Sequence, residues 1–178
     1  VQAISTLFEG TGYDPFDTPF LETGGAHLVH ESRLLLEGID FDLVYFPLRH
    51  LGYKSVALVT GALYGSLASA GTLSIVLGIS AKLDFEQIRE LWSGVVGAAR
   101  EFGYKSVGLD LQPSRNGLAI SVSACGTVEF STIAERPRPA SKDLLCVSGA
   151  LGAAYFGLRL LERGKERFDV GAEDKNSE

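Results

Sequence analysis

The sequence predicts a mixed α/β fold, an α+β arrangement with one sheet covered by two helices. Three observations carry this. Alternating apolar runs such as TLSIVLGI, residues 72–79, read as strands. Segments of helical period separate them, above all DFEQIRELWSGVVGAAR, residues 84–100. Turn and breaker signals fall between these runs, at Gly103, at Asn116-Gly117 and in the proline-rich stretch near residue 137.

Residues 1–24 carry Gly10, Gly12, Pro15 and Pro19 and read as an irregular arm held by Phe8, Phe16 and Phe20. Imperfect alternation from Ala26 to Phe41 predicts a strand bent at Gly38, with His27 and His30 on one solvated face. Leu51, Val56, Leu58, Leu63 and Leu67 give the stretch Leu48–Ser69 a helical pattern, weakened by its glycines. After the strand Thr72–Ile79, Asp84 caps a second helix and Gln87 completes a capping box. Ile88, Leu91, Trp92, Val95, Val96 and Ala99 follow at helical spacing, and Gly103 supplies a stop.

Tyr104–Leu111 and Gly117–Val128 are the next strands. ERPRPASKD, residues 135–143, is a proline-broken connector. LLCVSG then reads as a buried strand, and Ala150–Arg163 as an apolar helix that needs a cover. The polar tail from Gly164 is expected to fray. The domain reading is an α/β domain over 1–134, a linker over 135–142, the first strand and helix of a second domain over 143–163, and a tail over 164–178. GYKSV occurs at 52–56 and 103–107, but the flanks differ, so it is not an internal repeat.

Composition excludes several classes of function. With 46% apolar and 21% charged residues in 178, the chain can build a packed core. The net charge is -6 and basic residues are scattered, with one short cluster at Arg159, Arg163, Lys165 and Arg167, which argues against nucleic acid as partner. No apolar run reaches the roughly 18–20 residues of a membrane span. VQAISTLFEG has neither a basic nor an apolar leader segment, so no signal peptide is expected and the cytoplasm is the default compartment. Cys125 and Cys146 lie in apolar runs and read as small core residues. His27, His30 and His50 lack the companions of a zinc site. There is no methionine, which fits either a removed start residue or an engineered sequence.

Four stretches, LLLEGIDFDLVYFPLRHLGYKSV, TLSIVLGIS, GLAISVSACGTVE and KDLLCVSGALGAAYFGLRLLER, together resemble thiamine-monophosphate kinase, of the aminoimidazole-ribotide synthetase superfamily. The resemblance runs from about Leu34 to Leu161, over the N-terminal half of such enzymes. It implies an α/β domain whose sheet pairs with that of a second subunit, followed by a C-terminal domain. It also implies phosphoryl transfer from ATP to thiamine phosphate, with magnesium ions held by carboxylates.

At the positions that match the family's acids, this sequence departs from the pattern. The Asp-Asp pair falls on Gly24 and Gly25, and the Thr-Thr-Asp on Glu31, Ser32 and Arg33. The Ser-Asp of the first helix falls on Gly61 and Ala62, and the aspartate of the second domain on Ala150. The substrate-side histidine is Asp40. Asp110 keeps the carboxylate of the Gly-Asp-Thr, and Arg136 keeps the arginine of the Arg-Ser-Gly segment. The resemblance therefore implies Asp110, Glu31 and Ser32 as metal ligands, Asp110 and Arg136 as cofactor-binding groups, and Asp40 on the substrate side, with no catalytic residue assigned.

Plainer readings stand beside these. Asp110 can cap the turn near Pro113, and Arg33 can be a solvated or interface charge rather than a phosphate ligand. Arg136 can be a linker charge, Trp92 a core or dimer-interface residue, and Gly24-Gly25 only a weak phosphate-cradle signal. Three functional readings follow. The first is a non-catalytic scaffold, homodimeric through its sheet. The second is a kinase whose missing groups another chain supplies, with Mg2+ and ATP as cofactors only in that case. The third is an engineered scaffold on the same fold. One carboxylate cannot hold the ions that offset a triphosphate, so the expectation is no cofactor and little or no kinase activity.

Overall fold

A computed structural model describes residues 20–134 and 139–173. The chain divides into two compact units, residues 1–136 and 137–178.

The first unit is one five-stranded mixed sheet in the order β1-β2-β5-β3-β4. Strand β1, Phe20–Thr23, pairs antiparallel with β2, Ala26–Leu36. Gly24 and Gly25 join them with φ of +26° and +114°. A two-residue hairpin with both central φ positive selects glycine. This corrects the expected irregular arm as far as residues 20–23 are concerned; Phe8 and Phe16 lie outside the described residues. The glycine pair is thus the tight turn of a hairpin.

β2 ends at Leu36 rather than continuing to Phe41. There the Asp40 carboxylate accepts a hydrogen bond from the Leu36 backbone N–H at 2.7 Å, and Glu37 bridges to Phe41. A side chain thus takes the donor that a ladder partner would have taken. His27 and His30 also differ from expectation. Three residues apart on a strand, they point to opposite faces, and the His27 ring meets Phe130 edge-on at 4.4 Å.

Helix α1, Leu48–Gly65, buries Leu51, Val56, Val59 and Leu63. Helix α2, Phe85–Glu101, buries Ile88, Leu91, Val95 and Ala98. Its capping box is in place: the Asp84 carboxylate accepts from Gln87 N at 2.8 Å, and Asp84 N donates to Gln87 Oε1 at 2.9 Å. The helices touch backbone to backbone. A Cβ on Gly52 would overlap the Leu91 carbonyl, and one on Gly94 would overlap the Arg49 carbonyl. Gly52, which weakens α1 by propensity, and Gly94 of α2 are what allow this approach.

Strand β3, Ser69–Ile79, pairs parallel with edge strand β4, Ser106–Pro113, and antiparallel with β5, Ala119–Glu129. β5 lies between β2 and β3 and pairs with β2 along its whole length. Helices α1 and α2 cover the face carrying Leu35, Leu73, Ile75, Leu77, Ile120 and Val122, all buried. Among the described residues of this unit no element covers the opposite face, which carries Ser32, Leu34, Ser74, Val76, Ser121 and Ser123. Helix α3, Phe130–Ala134, closes the unit. GYKSV lies inside α1 in its first copy and runs from a turn into β4 in its second, in unlike structures.

In the second unit no strand is present among the described residues, and its helix is α4, Ala153–Glu173. The buried strand expected over LLCVSG is absent: Leu144 is 89% and Leu145 is 96% exposed. An apolar run becomes a strand only where another strand accepts its backbone bonds. Cys146 is exposed accordingly, not a core residue, while Cys125 is half-buried on β5. α4 starts three residues later than expected and runs as far as Glu173, into the stretch expected to fray. Its glycines, Gly157, Gly164 and Gly171, each cost only about 1 kcal/mol, and the segment is free of proline. No helix among the described residues is long and apolar enough to cross a membrane.

Candidate functional site

The sequence-predicted ligands Glu31, Ser32 and Asp110 sit on β2 and β4, with β5 and β3 between them. Directly opposed residues share a sheet face. Glu31 opposes Ala124, which opposes Leu73, so Glu31 faces the helices. Asp110 opposes Val76, which opposes Ser121, so Asp110 lies on the open face. Ser32 shares that face but is three strand spacings away, about 14 Å. One chain therefore does not bring the three together, and no group of three metal-ligating side chains occurs among the described residues.

Each predicted group already has a local partner. The Asp110 carboxylate accepts from its neighbour's backbone, Leu111 N at 2.9 Å, and from Gln112 Nε2 at 3.0 Å. Arg33 donates to Glu31 Oε2 at 3.4 Å and to the Ser32 carbonyl at 2.7 Å. That pair is unequal: Arg33 is 47% exposed and Glu31 only 13%. Screening makes it worth under about 1 kcal/mol. Its chemical effect is clearer, since a guanidinium beside Glu31 opposes a second cation there. Asp40 ends β2, as described above, and its carbonyl accepts from Lys54 Nζ at 3.0 Å. Arg136 lies outside the described residues. Gly61 and Ala62 lie on the C-terminal half of α1, and a Cβ on Gly61 would meet nothing within 4 Å. The helix surface there is smooth and open.

On the open face Ser32 Oγ and Ser123 Oγ are 3.0 Å apart, and His30 Nε2 is 3.5 Å from Ser32 Oγ. This is a neutral hydroxyl seam flanked by exposed Leu34. It suits contact with another polar-apolar surface more than it suits a highly charged ligand.

Two concavities escaped the sequence reading. One of about 470 Å³ lies beside Tyr64 and Phe102, where α1 and α2 end. The other, about 600 Å³, lies at the carboxyl ends of β2, β3 and β4 and takes in Lys82 and Arg115. The signal for the second was a basic residue in each of two turn segments, but only the sheet order places those turns side by side.

No family model matches the chain. In sequence it is 27% identical over 143 residues to the thiamine-monophosphate kinase of Rhodopirellula baltica, covering 80% of this chain and 44% of that enzyme. It is 22% identical to the enzyme of Bacillus subtilis over 127 residues, covering 71% and 39%. Among solved structures, thiamine monophosphate kinase from Aquifex aeolicus superposes with a TM-score of 0.65 at 18% identity, covering 72% of this chain and 43% of that one. A structure described as AaThiL complexed with AMPPCP and TMP gives the same TM-score at 20% identity, covering 71% and 41%. The fold is that of these kinases, and the chain spans less than half the length of each relative named here.

Proposed function

We propose that this thiamine-monophosphate-kinase-like chain is a non-catalytic domain that forms a homodimer through the open face of its sheet. The observation that carries the reading is the placement of Glu31 and Asp110 on opposite faces, each with its charge engaged locally. Phosphoryl transfer relies on positioning and charge neutralisation by bound ions. Magnesium gives up its water reluctantly and gains little from one carboxylate. Each lost transition-state contact costs about 2–4 kcal/mol, so losing several removes most of the rate. Arg33 on the helix-covered side, next to Glu31, supports the same reading.

The test is calorimetric titration of the purified chain with ATP and Mg2+, with Asp110→Ala as the control. The expected outcome is that any heat of nucleotide binding neither requires Mg2+ nor changes with Asp110→Ala. Micromolar binding abolished by Asp110→Ala would overturn the reading and point to an ATP-dependent kinase of thiamine phosphate completed by another chain.

A further inference from the structure

We infer that the cavity at the carboxyl ends of β2, β3 and β4 binds the phosphate group of a small phosphorylated molecule. The three strands are mutually parallel, since β2 and β3 each run antiparallel to β5 and β4 runs parallel to β3. Their ends open into one cavity of about 600 Å³, within the usual range of about 300–1,000 Å³ for small-molecule sites. It lies beyond Asp110, past the end of β4, and shares no residue with the predicted metal ligands.

Most polar side chains of the lining are donors. Lys82 comes from the β3–α2 connection, and Arg115 and Asn116 from the β4–β5 connection. No carboxylate among the described residues lies in salt-bridge reach of Lys82 or Arg115. Ser80, only 6% exposed, also lines the cavity. Its Oγ accepts from Lys82 N at 3.3 Å, which leaves its O–H to donate. The one acid of the lining is Glu37. Its Oε2 accepts the Leu118 backbone N–H at 2.7 Å, and Glu37 N in turn donates to the Leu118 carbonyl at 3.0 Å. Glu37 therefore fastens the start of β5 to the end of β2, and the cavity keeps one positive charge in excess. The loop that presents Arg115 is held at both sides: Ser114 N donates to the Ile79 carbonyl at 2.8 Å and Asn116 N to Ser114 Oγ at 3.3 Å.

An ammonium, a guanidinium, an amide and a buried hydroxyl around one space form an oxyanion-binding set. The planar fork of arginine with a point-charge lysine suits a tetrahedral phosphate. A metal cation is disfavoured by the same two charges.

The experiment is a calorimetric titration of the whole chain with pyrophosphate at low salt, with a chelator present so that no metal contributes. Sub-millimolar binding is expected, weakening as salt is added. Changing Lys82 and Arg115 together to Ala is expected to weaken it by at least about tenfold, as the loss of charge-assisted bonds should. Changing Lys82→Arg and Arg115→Lys together is expected to keep most of it. Both side chains are exposed, so the melting temperature should stay put and report that folding is intact. Absence of heat at millimolar pyrophosphate would overturn the inference, and so would binding unchanged in the double alanine variant. Loss of binding in Asp110→Ala would overturn it too, because the ligand would then sit on the open sheet face. None of these outcomes depends on whether the chain turns over ATP.

Discussion

Tyr104 shows how a single side chain ties packing to pH. Its ring packs against the core and its hydroxyl lies 3.0 Å from Thr60 Oγ1, while Thr60 Oγ1 donates back to the Val56 carbonyl at 2.7 Å. Burial pushes the Tyr104 pKa above the ordinary 10.0. The folded state therefore holds the phenol proton more tightly than the unfolded chain does. The resulting stabilisation is present below pH 10.0 and is lost as pH rises through the higher folded value. A tyrosinate absorbance titration should show a late-ionising fraction, and Tyr104→Phe should shrink it to the part that Tyr53 contributes. If that variant titrates like the parent, the phenol is not shielded. Tyr53 is raised as well, first by its hydrogen bond to Glu101, but it is exposed, so little stability follows from it. At this scale the sequence was least legible. It named Glu31, Ser32 and Asp110 as partners because a family pattern lists them together. Which face each residue takes depends on strand register, and residue spacing in the chain does not contain that.

Elements were legible wherever their signals were local. The capping box of α2 needs only Asp84 and Gln87, three positions apart, and it formed as read. Asp84→Ala should cost about 1 kcal/mol and Asp84→Asn only a few tenths, measured by urea unfolding. Equal losses from the two variants would show that the carboxylate acts through charge rather than as a cap. Elements that depend on a distant partner were misread. β1 was missed because Phe20–Thr23 is short and gains its bonds only across the Gly24-Gly25 turn. LLCVSG was read as a strand on apolar content alone, and nothing in the described part of its unit pairs with it. Gly52 and Gly94 look like weaknesses along the sequence and prove to be the contact between two helices.

At the scale of the whole molecule, the proposed pairing rests on the open face of the sheet. Leu34 is 59% exposed there, beside half-buried Val76 and a row of serines. Light scattering after size exclusion should give the mass of a dimer, and Leu34→Glu with Val76→Glu should give that of a monomer with unchanged helix content. A monomeric parent would remove the support for a scaffold that works by pairing. The sheet order carries one more consequence. β5 is the last strand of the unit to leave the ribosome, and it belongs in the middle of the sheet. Until residues 119–129 are made, β2 and the β3–α2–β4 unit have no shared neighbour, and each shows a bare edge. The nascent chain cannot build this sheet from one side to the other. It must wait with two unfinished halves and then close them with a single late insertion, so the interval before that closure is when the protein is most exposed to joining the wrong strand.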